Sequence, residues 1–405
     1  MAKGKILWMS DGPGLTTGYA TISRKLLNEL SDLGWECHFI EHTGNHQTYM
    51  PGLRLEDGEV FKFTTWGSGQ QPYCQDILSQ RIKEIRPDIF GILLDTFMCY
   101  PWILDKDFAP AKTIFYFPSD GGGGLKDGKL YKGMGCNVPM GCELVLKKMQ
   151  NHVAMSMFAK EQLKEIHGMD TNYIPHAVEE DVYKPLPEQE KLAIRQMWGL
   201  QGKFVVGVVA RNQGRKMLDR TLYAFAKVKD KIPNAVLLLH TDKTDPASYF
   251  NFDKMIADLG IENRVIFTGT KYYKGFDYKK MNEVYNMMDV FLLGTSGEGF
   301  GIPIIEAMSA GVPVLCTDYT TTWELVERNI AGMAVKRSGE ILGTWNVGRA
   351  LMDIDDCGEK LVQLYNNPEL RKQYGMNGRN AVLREYTWKE VAKQWDKVLT
   401  ELKSR

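Results

Sequence analysis

The chain has 405 residues, 44% of them hydrophobic and 25% charged, and its 50 Lys+Arg balance its 50 Asp+Glu. At roughly 100–200 residues per domain this length implies two or three domains of ordinary soluble composition. Zero formal charge excludes a global field toward nucleic acid or anionic membrane, and no apolar run approaches the ~18 residues needed to span a bilayer. The seven cysteines, odd in number and without a Cys-x-x-Cys, read as buried free thiols in a reducing compartment. The N-terminus, MAKGKILWMSDG, has no long apolar leader, so a cytoplasmic protein is expected.

In chain order, short apolar runs alternate with helical patterns. The strands predicted for the first half are Lys5–Met9, Glu36–Ile40, Ile89–Leu94, Thr113–Phe117, His152–Ala154 and Asn172–Ile174. Between the first two, Ile22, Leu26, Leu27, Leu30 and Leu33 recur at helical spacing. The segment 184–190, KPLPEQE, reads as a linker. Strands are then predicted at Phe204–Ala210, Ala235–His240, Val265–Thr268, Val290–Leu293 and Val312–Cys316. The last segment carries an apolar stripe of Trp388, Val391, Trp395, Val398 and Leu402, an amphipathic helix with a capping-box start at Thr387 and Glu390. Alternation of this kind argues for two βαβ domains with parallel sheets, which bind ligands at their strand C-termini. The expected division is 1–185, 186–386 and a terminal helix 387–405 that crosses back onto the first domain.

Four stretches carry chemistry. Glu298-Gly-Phe-Gly-Ile-Pro-Ile-Ile-Glu306 runs on into Ala-Met-Ser-Ala-Gly-Val-Pro. It follows a buried strand and opens a helix. Gly299 and Gly301 let a ligand approach the backbone, and free N–H groups at the helix start suit a phosphate or a sugar hydroxyl. Glu298 and Glu306 can hydrogen-bond the vicinal hydroxyls of a sugar and a ribose. Alone, Glu298 would read as a solvated loop acid; the whole run is far more specific. The second stretch is Arg211-Asn-Gln-Gly-Arg-Lys216. Fixed cations there would stabilise charge growing on a departing diphosphate. Arg215 reads as a basic decoy. The third, Ser10-Asp-Gly-Pro-Gly14-Leu-Thr-Thr17-Gly18, is a glycine-rich strand–helix loop of the phosphate-cradling sort, without the Gly-x-Gly-x-x-Gly fingerprint of a dinucleotide site. The fourth is Ser119-Asp120-Gly121, read equally as a ligand contact or an Asp-Gly turn. The glycines 121–124 after it suggest a mobile loop.

These motifs resemble the retaining GT-B glycosyltransferases that include sucrose-synthesising enzymes and phosphatidylinositol mannosyltransferases. The resemblance covers most of the chain and is strongest from about 200 to 335. It implies two Rossmann-like doubly wound domains facing an interdomain cleft, the first on the acceptor side and the second holding a nucleotide sugar. By resemblance Glu306 holds the donor ribose and Glu298 the donor sugar. The backbone of Gly299, Phe300, Gly301 and Ile302 touches sugar hydroxyls and phosphate. Arg211 and Lys216 bind the diphosphate, and Gly14, Thr17 and Gly18 belong to the loop reaching toward donor phosphate and acceptor. Many relatives place a histidine where this chain has Asp120. In the segment Ile174-Pro-His176-Ala-Val, His176 departs from the relatives' asparagine and reads as structural.

The expected activity is transfer of a sugar from a nucleoside-diphosphate sugar to an acceptor hydroxyl with retention, with no metal or other cofactor required. Asp353-Ile-Asp355-Asp356 reads as helix-capping acids rather than a metal site. The acceptor stays open among a glycan, a lipid, a small metabolite and a modified nucleic-acid base. It is expected in loops 42–74 and 95–137, which carry Tyr49, Trp66, Tyr73, Tyr100 and Trp102. A sugar-nucleotide epimerase and a non-catalytic nucleotide-sugar binder are the alternatives; a nicotinamide-dependent dehydrogenase is weakened by the missing fingerprint.

Overall fold

Strands covered on both faces read as continuous Val, Ile, Leu and aromatic runs, because neither face meets water. Ile6, Leu7, Trp8 and Met9 are such a run and all four are fully buried. The computed structural model of the protein describes residues 2–405 apart from 16, 43–46, 56–57, 104–107, 109–111, 123–124, 127–128, 131–141, 150, 247, 272–274 and 344–346. The chain divides into two compact units. The first comprises Met1–Ser119, Gly135–Ala177 and Trp388–Arg405; the second comprises Asp120–Met134 and Val178–Thr387.

Strands β1 (Lys5–Ser10), β2 (Glu36–Glu41), β3 (Thr64–Trp66), β4 (Ile89–Ile92) and β5 (Thr113–Phe117) belong to the first unit. The short antiparallel pair β6 (Leu125–Lys126) and β7 (Lys129–Leu130) follows in the second, and β8 (His152–Ala154) and β9 (Asn172–Tyr173) return to the first. The first unit's sheet is parallel, in the order β3-β2-β1-β4-β5-β8-β9. Ile6 pairs with Cys37 and Trp8 with Phe39 across β1 and β2.

The helix after β1 spans Gly18–Asp32 and buries Ile22, Leu26, Leu27 and Leu30, the face its spacing predicts. Helix Trp388–Ser404 buries Trp388, Val391, Trp395, Leu399 and Leu402. Leu399, four residues on from Trp395, takes the core position that the predicted stripe gave to the half-buried Val398. The Trp395 ring meets Trp8 edge-on at 5.5 Å and Tyr116 at 5.0 Å. Beside them His176 Nδ1 lies 2.8 Å from the Tyr116 hydroxyl. Burial drives the His176 pKa down to about 3, so it is a neutral core histidine, as its setting in the sequence suggested.

In the second unit β10 (Phe204–Val209), β11 (Ala235–His240), β12 (Val265–Phe267), β13 (Val290–Leu293), β14 (Val314–Thr317) and β15 (Gly332–Val335) form a parallel sheet ordered β12-β11-β10-β13-β14-β15. Numbered within the unit this is 3-2-1-4-5-6, the doubly wound order. The order in which the chain adds strands reverses between β10 and β13, the switch point at whose strand C-terminal ends doubly wound sheets bind ligands. The first unit reverses in the same way between β1 and β4. An antiparallel hairpin, β16 (Arg337–Leu342) and β17 (Gly348–Met352), completes the second unit.

Cys37, Cys74, Cys99, Cys316 and Cys357 are buried free thiols; Cys136 lies outside the described residues. Trp102, expected on an acceptor-facing surface, is instead a core residue whose indole N–H donates to the Tyr73 carbonyl at 2.6 Å. Its flat apolar area is worth more buried than exposed once that N–H has a partner.

Candidate active site

The loops after β10 and β13 flank the reversal of the second sheet, and each delivers charge to it. Beyond β10 the chain makes one 3-10 turn, Gly214–Lys216, and Met217 then adopts φ 46° before helix Leu218–Val228 begins. A side-chain-bearing residue held in this left-handed region costs about 1–2 kcal/mol. The kink ends the 3-10 turn at Lys216, which is buried. Lys216 thus sits before the helix rather than in it. Its Nζ donates to Glu298 Oε1 at 2.6 Å, and Arg215 Nη1 donates to Glu298 Oε2 at 3.2 Å. Burial opposes ionisation of Glu298, but Lys216 and Arg215 outweigh it and hold its pKa down to about 2. Burial, and Arg215 beside it, lower the Lys216 pKa too, which for an amine is toward the neutral form, and Glu298 resists that.

Arg215, set aside as a decoy from the sequence, is therefore part of this cluster. It also reaches toward Asp120, Nε to Oδ2 at 3.8 Å. Asp120 is held in turn by Arg349 of β17. Arg349 Nη2 donates to both carboxylate oxygens at 3.1 Å, and its Nη1 donates to the Asp120 carbonyl at 2.6 Å. Gly297 lies against that carbonyl. With φ 152°, a Cβ there would come 2.0 Å from the Asp120 oxygen, so only glycine allows the approach. The neighbouring Gly122 N–H donates to the Tyr319 hydroxyl at 3.0 Å. Gly123 and Gly124, part of the run read as a mobile loop, lie outside the described residues.

Arg211 follows β10 directly and is tied to the buried Asp245, Nε to Oδ2 at 2.5 Å and Nη2 to Oδ1 at 3.1 Å. This two-pronged pairing fixes the plane of the guanidinium. Gly301, at φ 102°, leads into helix Ile302–Ser309, and its conformation favours glycine. Gly299 and Ile302 are half-buried. The Phe300 ring is in the core, 6.2 Å from Tyr386, so only its backbone can serve a ligand. Glu306, one turn into the helix, has different company from Glu298. The Tyr285 hydroxyl donates to its Oε2 at 2.6 Å, and Tyr183 also hydrogen-bonds to it. Burial raises the Glu306 pKa to about 7 despite these two phenols, with Glu179 adding to the rise.

In the first unit the glycine-rich loop leaves β1. Gly12 begins a turn closed by the Leu15 N–H to its carbonyl at 2.9 Å. Thr17 caps helix Gly18–Asp32, accepting from the Ala20 N–H at 3.2 Å, and donates to Asp11 Oδ2 at 2.6 Å. The other Asp11 oxygen meets His42 Nε2 at 2.7 Å. A Cβ on Gly14 would meet nothing closer than Leu55 at 4.0 Å, so space alone does not require glycine there.

The sequence did not single out Arg349, Asp245, Tyr285 or Tyr183. Each is an isolated residue far along the chain from its partner, and none sits in a recognisable motif. Asp353 caps helix Ile354–Asn366, accepting from the N–H groups of Asp355 and Asp356. Among the described residues no group of three or more His, Cys, Asp or Glu is placed to hold a metal ion, and no helix is long and apolar enough to cross a membrane.

Comparison with known proteins bears on the family and the fold. Residues 190–343 match the model of the family described as Glycosyl transferases group 1. Mannosylfructose-phosphate synthase of Agrobacterium fabrum is 23% identical over 257 residues, 60% of this chain and 51% of that protein. Phosphatidyl-myo-inositol mannosyltransferase of Mycobacterium tuberculosis is 26% identical over 250 residues, 61% of this chain and 58% of that one. The chain thus spans about half the length of the curated relatives it matches. Among solved structures, sucrose-phosphate synthase from Thermosynechococcus elongatus superposes with a TM-score of 0.77 at 15% identity, covering 98% of this chain and 99% of that one. Anabaena HepE in complex with UDP and glucose gives 0.73 at 15% identity, covering 98% and 100%. Residues 190–343 are therefore a glycosyl transferases group 1 domain, and the chain, with its two Rossmann-like parallel sheets, has the GT-B fold.

Proposed function

We propose that the protein is a retaining glycosyltransferase that moves a sugar from a nucleoside-diphosphate sugar to an acceptor hydroxyl. The observation that carries this reading is the buried Lys216–Glu298 pair, flanked by Arg215, at the sheet reversal of the group 1 domain. In this account Lys216 and the Asp245-oriented Arg211 receive the diphosphate. As the bond from the anomeric carbon to phosphate oxygen breaks, that oxygen gains charge. Cations already in place stabilise this state without reorganising. Glu298 keeps Lys216 aimed and ionised and faces the sugar hydroxyls, while N–H groups at the start of helix Ile302–Ser309 add further donors. Glu306 holds the ribose diol. The acceptor hydroxyl attacks the anomeric carbon from the face the diphosphate leaves, and its proton passes to the departing phosphate oxygen. No separate protein base is needed.

Asp120 contributes by orienting groups through Arg349 and Arg215. The acceptor is assigned to the first unit, whose glycine-rich loop carries Gly14, Thr17 and Gly18. UDP and glucose in the Anabaena HepE structure make UDP-glucose the first donor to try. Incubation with UDP-glucose, GDP-mannose or ADP-glucose and an acceptor panel tests the reading. Nucleoside diphosphate should be released in step with glycoside, and an α-donor should give an α-product by NMR. A β-product would overturn retention. Conversion of the donor to another sugar nucleotide without diphosphate release would replace transfer with epimerisation.

A further inference from the structure

Tyr285 and Tyr183 converge on one carboxylate. Tyr285, on helix Tyr278–Asn286, donates to Glu306 Oε2 at 2.6 Å, and Tyr183 bonds the same group. Both rings are buried, 5.9 Å apart and inclined at 70°, with Tyr278 packed against Tyr183 at 6.1 Å. The backbone that carries Tyr183 is pinned. Its carbonyl accepts from Ser309 Oγ at 2.5 Å and Arg379 Nη1 at 2.8 Å. The Lys184 N–H donates to Asn282 Oδ1 at 3.1 Å and the Leu186 N–H to Asn286 Oδ1 at 2.9 Å. The two phenols therefore stand on fixed supports.

We infer that Tyr285 and Tyr183 are positioning residues that fix the Glu306 carboxylate for a vicinal diol, and so select a ribonucleotide donor over its 2′-deoxy counterpart. This rests on the reading of Glu306 as the ribose contact. A carboxylate has about four lone-pair sites. Two buried phenols occupy two of them and set the plane of the group, which leaves a matched pair for two adjacent hydroxyls. A site built to bond a hydroxyl rejects the analogue that lacks it, because its buried acceptor is then unpaired.

The same arrangement makes binding depend on pH. Burial raises Glu306 to about 7, the two phenols oppose the rise, and Glu179 adds to it. Among the described residues, the titratable or charged groups around the cluster also include Tyr278 against Tyr183, and Arg379 with Glu180 and Asp181 beside it. The ionised form accepts the diol, so affinity falls as pH drops below the Glu306 midpoint. Loss of one phenol removes a bond that favours ionisation and moves the midpoint to higher pH.

The test measures dissociation constants of UDP-glucose, GDP-mannose and ADP-glucose for the full chain between pH 5.5 and 8.5. It compares wild type, Glu306→Gln, Tyr285→Phe and Tyr183→Phe. The 2′-deoxy form of whichever nucleotide binds is measured alongside, and melting temperatures report folding. Wild type should prefer the ribonucleotide by about ten- to hundredfold and weaken in acid. Glu306→Gln should bind at least about tenfold more weakly at pH 8 and lose the acid dependence above the nucleotide's own. Each phenylalanine variant should shift the midpoint alkaline and narrow the ribo/deoxy ratio; if Tyr285→Phe does not fold, Tyr183→Phe carries the test. Unchanged affinity in Glu306→Gln would sink the ribose reading itself. Weakened Glu306→Gln with phenylalanine variants that keep the wild-type midpoint and ratio would sink the positioning inference alone. No binding of any nucleotide sugar by wild type would remove both.

Discussion

Lys216 and Glu298 form a buried ion pair, Nζ to Oε1 at 2.6 Å, between residues 82 apart in the chain. Each keeps the other charged where burial favours the neutral form. Removing one partner should therefore cost more than removing both. Glu298→Leu and Lys216→Met alone should each lower unfolding free energy by about 3–5 kcal/mol, and the double variant should recover much of the loss. Urea unfolding of the four proteins measures the coupling. Additive losses would show that the two residues do not depend on each other.

The Glu298 carboxyl is held at about 2, below its ordinary 4.5. A depressed carboxyl pKa contributes stability that is present above 4.5 and is lost as pH falls from there toward 2. Wild type should lose stability in that window faster than Glu298→Gln. Parallel melting curves from pH 6 to pH 3 would contradict the assignment.

Turnover should separate Lys216 from Asp120. In the proposed mechanism Lys216 meets the leaving charge directly, so Lys216→Ala should reduce kcat/KM by at least about a hundredfold, the scale of one lost oxyanion donor. Asp120→Asn keeps an oxygen for Arg349 and should cost about tenfold. Because Arg349 donates to Asp120 through three contacts, Arg349→Ala should cost about as much as Asp120→Ala, and the pair should not add. Equal losses in Lys216→Ala and Asp120→Asn would make Asp120 a direct catalyst.

Glu306 departs from its ordinary pKa in the opposite sense to Glu298. Its carboxyl is raised from 4.5 to about 7, so the folded chain binds a proton there that the unfolded chain releases. Folding stability therefore falls as pH rises through this window. Glu306→Gln should stabilise the protein at pH 8 by up to about 3 kcal/mol and have little effect at pH 4.5. An equal gain at both values would tie the effect to packing rather than to charge.

Periodicity and apolar runs make most of the strands legible, because β1, β5, β10 and β13 are covered on both faces. Three residues of β3 are too few to form a pattern. The exposed β16, RSGEIL, has no apolar face to alternate with a polar one. In the candidate site, spacing and resemblance single out Glu298, Glu306, Arg211 and Lys216, but not the residues that the fold pairs with them. Arg215 looks like any surface arginine until Glu298 is placed beside it. Arg349 and Tyr285 acquire meaning only when distant segments fold together, since nothing at their own positions marks them. Trp102 shows the converse error, since an aromatic residue in a loop is as readily core as ligand contact.

A thermal-shift panel of UDP, GDP, ADP, their sugar conjugates and NAD on wild type and Glu306→Ala decides whether the group 1 domain binds a nucleotide sugar through Glu306. A ligand at about 100 times its dissociation constant adds roughly 2.7 kcal/mol, enough to move the melting temperature visibly. Wild type should shift with one nucleoside diphosphate and its sugar conjugate, and Glu306→Ala should lose most or all of that shift. No shift with any of them, or a shift with NAD alone, would contradict the proposed donor site.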